Sequence, residues 1–303
     1  MMKLRVIDLF SGCGGLSLGF EKAGFEVVAA CEWWDAALAC YKENFTHPAL
    51  KVDLSDVENA VEVIKGYNPD MLIGGPPCQD FSHAGKRIEA DRASLTDAYA
   101  LIVSKIKPIC FVMENVDRAR NSRAYASARE IFKSAGYGLT EITLDASLCG
   151  TPQKRKRFIV FGVLGKEDGF ALEAFTSRLS KEPMTLRDYF GDSLGFEYYY
   201  RHPRNYSRRG IFSIDEPAPT MRGVNRPVPK GYTGHPKDPC PVSSDLHALT
   251  TQERAWIQTF PKDFKWVGSK TDVEQMVGNA VPVNLAQYVA ETVKIVMDGE
   301  CDG

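Results

Sequence analysis

The chain has 303 residues, 44% apolar and 25% charged, a composition that suits a globular protein with a core large enough for one big domain or two. No apolar run reaches the length of a membrane span, and the N-terminal MMKLRVIDLF enters a strand pattern without a signal peptide's apolar region and cleavage site, so a cytoplasmic protein is expected. The net charge of −2 does not advertise a nucleic-acid partner, yet residues 201–240 carry eight Lys/Arg against three Asp/Glu, a basic segment on an acidic body.

The first expected strand, residues 4–9, runs into DLFSGCGGLSLGF at 8–20, a strand end, a glycine turn and a helix start. Glycines there let the backbone turn sharply and approach a ligand. The dinucleotide fingerprint is only half met: Gly12 and Gly14 fit, but Ser17 takes the place of the third glycine. The next strand, 26–31, leads into Glu32 and Trp33. An acidic residue at that spacing can accept ribose hydroxyls, and the indole can stack on an adenine. Asp53, followed by Leu54, closes the short segment LKVD. Together these residues suggest an adenosine-containing ligand without an obligatory phosphate.

A buried strand at 71–74 is followed by GGPPCQDFS. The prolines remove backbone freedom and hold Cys78 at the carboxyl edge of the sheet, where open α/β folds bind ligands. A thiol held there reads as a nucleophile. The other seven cysteines form no C-x-x-C pair and read as reduced thiols, most of them core fillers, neither a disulfide framework nor a zinc site.

A strand at 109–114 ends on the carboxylate of Glu114, suited to general acid or hydrogen-bonding work. A helix is expected over 122–135. GTPQKRKRF then opens the strand at 157–163, and strand alternation puts Gln153, Arg155 and Arg157 on one face and Lys154 and Lys156 on the other. Continuous apolar strands alternating with helices imply an α/β fold with a doubly wound, mostly parallel sheet. After about residue 165 proline, glycine, aromatic and basic residues interleave without helical periodicity, and regularity returns with a helix at 283–297.

These motifs in this order resemble the cytosine carbon-5 DNA methyltransferases over nearly the whole chain. DLFSGCGG is similar to that family's S-adenosylmethionine (AdoMet) loop, GGPPCQDFS to its nucleophile loop, ENV and QKRKR to its two further motifs, and QMVGNAVPVNLA to its closing segment. The resemblance implies a Rossmann-like AdoMet-dependent catalytic domain made of residues 1–165 plus 272–303. A smaller, loop-rich target-recognition domain is implied over 166–271. It implies methyl transfer from AdoMet to carbon 5 of a cytosine flipped out of a short duplex DNA site, through a covalent bond from Cys78 to carbon 6. Glu114, Arg155 and Arg157 are the implied catalytic partners. The methyl donor is already activated, so no metal is needed.

The implied cofactor contacts are Asp8, Phe10, Ser11, Gly12, Gly14, Gly15, Leu16, Glu32, Trp33, Asp53, Leu54, Pro77, Leu95, Asn279 and Val281. The tract after Cys78 is implied to close as a lid over DNA. Gln79, Ser82, Lys86, Arg87, Gln153, Arg201, Arg204, Arg208, Arg209, Thr220, Arg222 and Arg226 are the DNA-contact candidates. The chain departs from relatives' D-x-R-G-x-L pattern with ADRASL, where Ala93 and Ser94 leave no glycine; this bears on the lid's motion.

The expected partner is double-stranded DNA, met by a monomer. A cognate restriction endonuclease would be encoded nearby without forming a stable complex, unless the enzyme is solitary. The same motifs serve a tRNA-directed branch, and a catalytically silent DNA-binding relative is a further alternative. The basic, proline-rich insert favours duplex DNA over tRNA, and the intact Cys78, Glu114, Arg155 and Asn279 disfavour the silent relative. Ser17 and the nucleophile loop disfavour a dinucleotide oxidoreductase.

Overall fold

The computed structural model describes residues 4–77, 94–203, 208–243 and 246–299. In chain order the first half forms β1 (Arg5–Leu9), α1 (Gly15–Lys22), β2 (Glu26–Glu32), α2 (Asp35–Asn44), β3 (Ala49–Lys51), α3 (Val57–Lys65), β4 (Met71–Gly74), α4 (Leu95–Ile106), β5 (Cys110–Val116), α5 (Arg123–Ser134), β6 (Tyr137–Asp145), β7 (Gln153–Lys154) and β8 (Lys156–Leu164). Seven of these strands make one sheet in the order β3-β2-β1-β4-β5-β8-β6. Within it β8 pairs antiparallel with both neighbours and the remaining pairs are parallel.

Strand side chains alternate between two apolar layers. Val6, Ile73 and Val112 point to one, Ile7, Leu72 and Phe111 to the other. Both faces are therefore dry, which explains the continuous apolar runs. On the second face lie α3, α4 and α5, through Ile64, Tyr99, Ile102 and Phe132. The first is covered by α1 and by a C-terminal helix, through Leu16, Phe20, Leu285 and Val289. Helices on both faces make the fold doubly wound, as expected. The strand order reverses between β1 and β4, and the chain ends that open there form the crevice of such folds.

The second half forms α6 (Leu172–Thr176), α7 (Leu186–Phe190), β9 (Tyr198–Tyr200), β10 (Ile211–Ser213), β11 (Ala218–Pro219), β12 (His247–Ala248), α8 (Thr251–Ile257), α9 (Lys270–Asn279) and α10 (Val283–Gly299). A small sheet, β10-β9-β12, packs over its own cluster with Leu186, Tyr199, Phe212 and Met221. Polar side chains organise what periodicity does not. The carboxylate of Asp238 accepts from the backbone N–H groups of Gly210, Ile211 and His235 and from Tyr232 Oη. The Arg187 guanidinium holds Asp192, Glu197 and Asp215.

Two devices fasten the halves together. β11 pairs parallel with β7. α8 serves two clusters, Ala255 packing with α2 and α9 and Ile257 with the small sheet. α10 lies directly on α1. A Cβ at Gly19 would stand 2.4 Å from Ala286 Cβ, and one at Gly15 2.3 Å from the Val281 carbonyl oxygen, so glycine at both positions permits the approach. Among the described residues no helix is long and apolar enough to cross a membrane.

Candidate active site

The crevice starts with the loop after β1. Phe10, Gly12 and Gly14 all take positive φ, at 58°, 56° and 96°. A side chain at Gly14 would also strike the Phe45 ring, 2.3 Å from the added carbon, whereas Gly12 faces open space. Glu32, at the end of β2, braces this loop. Its Oε2 accepts from the Gly12 N–H at 2.7 Å, and its Oε1 from the N–H groups of Trp33 and Trp34 at 2.7 Å each.

A cavity of about 50 Å3 opens where the strand order reverses. Asp8, Phe10, Ser11, Gly15, Leu16, Glu114, Asn279 and Val281 line it, with Gly75 and Ala280. Eight residues read from the sequence as cofactor or catalytic positions thus meet at one place. Asp8 Oδ1 and Ser11 Oγ are buried there without a hydrogen-bond partner. Burial raises the Asp8 carboxyl to about 7, against the hydrogen bond from Ser17.

The remaining cofactor positions stand outside this cavity. Trp33 is 59% exposed, with Lys51 Nζ 5.2 Å from its ring centre. Asp53 is exposed, its Oδ1 accepting from the Ser55 N–H and hydroxyl at 2.9 and 2.6 Å. Leu54 is buried, Leu95 half-buried and Pro77 exposed. Ser94, at the departure from the family pattern, caps α4: its Oγ accepts from the Asp97 N–H at 3.1 Å while the Asp97 carboxylate accepts from the Ser94 N–H.

Glu114 is nearly buried on β5, and Arg157 Nε from β8 lies 2.6 Å from its Oε1. Burial raises the Glu114 carboxyl above its ordinary value, while Arg157 first and Arg155 second pull it back. The neighbouring Asn115 Nδ2 donates to the Pro76 carbonyl at 3.0 Å, which anchors the loop two residues before Cys78. No reading of the sequence assigned Asn115 this part, although it stands inside the quoted ENV. Cys78, Gln79, Ser82, Lys86 and Arg87, with the rest of the expected lid up to residue 93, and Arg204 lie outside the described residues.

Arg155 differs from expectation in where its charge goes. It is 1% exposed, and its guanidinium donates to the carbonyls of Met221, Gly278 and Ala280 at 3.0, 2.9 and 2.9 Å. It ties the insert to the closing segment. Gln153, expected at the DNA, is fully buried: its Nε2 donates to Gln258 Oε1 and its Oε1 accepts from the Met221 N–H, each at 2.9 Å. The expected alternation holds, since Lys154 and Lys156 are exposed while Gln153 and Arg155 are buried.

A second cavity, about 570 Å3, runs from Arg155 and Arg157 past Asn279 to Thr220 and Arg222. A third, about 480 Å3, is lined by Arg201, Arg208, Arg209, Thr220 and Arg222, with Pro203, Phe212 and Pro219. Arg209 is spent on Glu216 and lies 4.3 Å from the Phe212 ring centre. Arg201 donates to the Thr220 carbonyl, and Arg222 to the His202 carbonyl at 2.6 Å. Arg208 and Arg226 are exposed. The basic character is felt locally: His202 is held below its ordinary pKa by burial, then by Arg226, Arg222 and Arg201. The buried pair Arg254–Glu274, not singled out from sequence, supports this wall, Arg254 donating to the Arg222 carbonyl.

The described cysteines other than Cys240 are buried. Burial raises the thiols of Cys13, Cys31, Cys40 and Cys149 above their ordinary range, which keeps them protonated and unreactive. Among the described residues no three His, Cys, Asp or Glu side chains gather as a metal site.

A family model described as C-5 cytosine-specific DNA methylase matches residues 4–295. The chain is 56% identical over 292 residues to the Type II methyltransferase M.HindV of Haemophilus influenzae, covering 96% of each chain. It is 53% identical over 292 residues to the Type II methyltransferase M.HgiDI of Herpetosiphon aurantiacus, covering 96% of this chain and 94% of that one. The crystal structure of S. pombe Dnmt2 methyltransferase superposes with a TM-score of 0.71 at 18% identity, over 99% of both chains, a likeness of fold.

Proposed function

The chain belongs to the C-5 cytosine-specific DNA methylase family and is a DNA (cytosine-5-)-methyltransferase of the restriction-modification type, and from that premise we propose how its residues carry the reaction. The observation that carries the reading is the meeting of Asp8, Ser11, Glu114 and Asn279 around one cavity, with two buried polar atoms there lacking partners.

AdoMet, as the bound methyl donor, supplies a methyl group already activated on a sulfonium. The orphaned Asp8 Oδ1 and Ser11 Oγ fit a polar, cationic ligand. The open Gly12 lets such a ligand lie close to the backbone, and exposed Trp33 offers a stacking face. The cavity of about 50 Å3 is too small for the whole molecule, so it receives one end. Trp33, Asp53, Leu54, Leu95 and Pro77 serve the rest, with Phe10, Gly14, Gly15, Leu16 and Val281 shaping the wall. Glu32 retains acceptor capacity on Oε2 for a ribose hydroxyl beyond its bond to Gly12.

Cytosine carbon 5 is a poor nucleophile. The Cys78 thiolate adds to carbon 6, and electrons move through the ring to nitrogen 3, which takes a proton from Glu114. Carbon 5, now enamine-like, takes the methyl group. Its proton then leaves to a base, and as Cys78 is expelled nitrogen 3 returns its proton to Glu114 and the ring recovers. Burial raises the Glu114 carboxyl and so favours the form that gives this proton, and Arg157 steadies the carboxylate left behind. Arg155 acts by holding the insert and the closing segment around the second cavity.

A base within a duplex cannot reach such a site, so the target cytosine is flipped out. Residues 1–165 with 272–303 form the catalytic unit, and 166–271 read the site. The cavity between Arg201, Arg208, Arg209 and Arg222 supports backbone contact there. Arg226, Thr220, Arg204 and the residues Gln79, Ser82, Lys86 and Arg87 are further contacts. Gln153 acts behind that surface through Met221. The enzyme works as a cytoplasmic monomer beside a restriction endonuclease with which it forms no stable complex.

The test is methyl transfer from labelled AdoMet into mixed duplex DNA by wild type and Cys78→Ser. The expected result is loss of transfer with AdoMet binding retained. Transfer by Cys78→Ser near the wild-type rate would remove Cys78 from the mechanism.

A further inference from the structure

A run of short hydrogen bonds leads away from the cavity at Asp8, and the reaction above does not use it. Ser17 Oγ donates to Asp8 Oδ2 at 2.6 Å, and Tyr41 Oη donates to Ser17 Oγ at 2.6 Å. His47 Nε2 lies 2.7 Å from Tyr41 Oη, and His47 Nδ1 lies 3.2 Å from Glu21 Oε1. Asp8, Ser17 and Tyr41 are fully buried, the His47 side chain is 9% exposed and that of Glu21 36%. The run therefore passes from the dry end of β1, through α1 and α2, to solvent.

Counting donors gives this run two complete arrangements. In the first the donors between His47 and Asp8 point inward: an imidazolium at His47 donates to Tyr41 as well as to Glu21, Tyr41 to Ser17, and Ser17 to an Asp8 carboxylate. In the second every donor points outward: a protonated Asp8 donates to Ser17, Ser17 to Tyr41, Tyr41 to His47 Nε2, and neutral His47 to Glu21 through Nδ1. Both hold the same number of protons and both satisfy every link. They differ in charge. The first places a negative charge at the cavity and a positive one beside Glu21; the second leaves Asp8 and His47 neutral.

We propose that Ser17, Tyr41 and His47 are positioning residues that relocate protons, so that Asp8 presents a carboxylate to a cationic AdoMet without exchanging a proton with solvent. This rests on reading the cavity as part of the AdoMet pocket. Burial opposes a bare Asp8 carboxylate, and Glu32 from β2 opposes it further. Cys13 of the glycine loop, Cys31 of β2 and Tyr99 of α4 also face its field and stay neutral through burial, and Glu114 of β5 borders the same cavity. A compensating positive charge at His47 makes the ionised arrangement accessible where those neighbours do not. Asp8 Oδ1, which lacks a partner, is then the acceptor for the ligand.

The test is calorimetric binding of AdoMet to the whole protein, wild type against Tyr41→Phe, in buffers of different ionisation enthalpy. Phenylalanine keeps the stack on Phe45, whose ring centre is 4.2 Å away, and deletes only the hydroxyl link. His47→Gln is a second break at the outer end, should the first variant fold poorly. Wild type should bind with no net proton exchange and with affinity nearly flat between about pH 6 and 8. In either variant Asp8 must lose its proton to solvent. Binding should then release a proton at the acid end, and affinity should fall up to about tenfold per pH unit below the titration of Asp8. Asp8→Asn should bind more weakly at every pH, with no proton release. Equal proton exchange in wild type and both variants overturns the relay alone. Failure of wild type to bind, or full affinity in Asp8→Asn, overturns the pocket reading and the relay with it.

Discussion

Arg157 on β8 reaches Glu114 on β5 diagonally, Nε to Oε1 at 2.6 Å, because the antiparallel register sets Arg157 opposite Val116 and Ile159 opposite Glu114. β8 running against its neighbours thus puts a cation from a basic run beside the carboxylate at the sheet's ligand edge. Glu114→Gln keeps the shape but supplies no proton. Methyl transfer should fall by about 10²- to 10⁴-fold, with AdoMet still bound.

The same pair has a pH signature. Burial raises the Glu114 carboxyl and Arg157 is the main opposing influence. In Arg157→Ala the carboxyl therefore rises further. Glu114 acts as an acid, so activity is lost as pH rises through its pKa, and that limb of the pH–rate profile should move to higher pH in the variant, with a lower plateau. A limb that stays in place would separate Arg157 from Glu114.

Arg155→Met tests the tie between insert and closing segment. Three carbonyls, on Met221, Gly278 and Ala280, lose a charged donor in a buried setting. A loss of about 3 kcal/mol or more in urea unfolding is expected. Loss of DNA affinity with normal stability would mean that Arg155 acts at the DNA directly.

Gly19→Ala tests the seating of α10 on α1. The added carbon stands 2.4 Å from Ala286 Cβ and 2.6 Å from the Gln287 nitrogen, so one helix must shift, at about 1–3 kcal/mol. Gly231→Ala, where the added carbon meets nothing within 4 Å, should stay within about 0.5 kcal/mol of wild type.

Asp8→Asn should separate stability from function. The folded Asp8 titrates at about 7 against an ordinary 3.8, so the folded state binds the proton more tightly. Its contribution is complete below about pH 4 and is lost as pH rises through 7. Relative to wild type without ligand, Asp8→Asn should gain stability from acid to pH 8, while AdoMet affinity falls. Denaturation midpoints at pH 5 and 8 decide it.

The inner strands were legible because burial on both faces leaves an unbroken apolar run: the expected 71–74, 26–31 and 157–163 lie on β4, β2 and β8. The direction of β8 was not, since a strand between two dry layers reads alike whichever way it runs. β6 was not read as a strand, its Thr140, Glu141 and Thr143 breaking the apolar pattern. The glycine loop and the ENV carboxylate were legible as residue types in order. The support behind them was not: Tyr41 and His47 are ordinary residues of α2 and the loop beyond, and reach Asp8 only through Ser17. The insert carries no period because carboxylates such as Asp238 replace regular ladders there.

The most direct test of the central claim traps the covalent bond. The protein is mixed with AdoMet and a pool of duplexes carrying 5-fluorocytosine, with fluorinated tRNA alongside, and the denaturation-resistant species is digested and its peptides identified by mass. Fluorine does not leave as a proton does, so the bond to carbon 6 persists. An adduct on duplex DNA at Cys78, absent from Cys78→Ser, is the expected result. An adduct on tRNA alone, an adduct at another residue, or none while AdoMet is bound and the pool is being methylated at ordinary cytosines, would contradict the account.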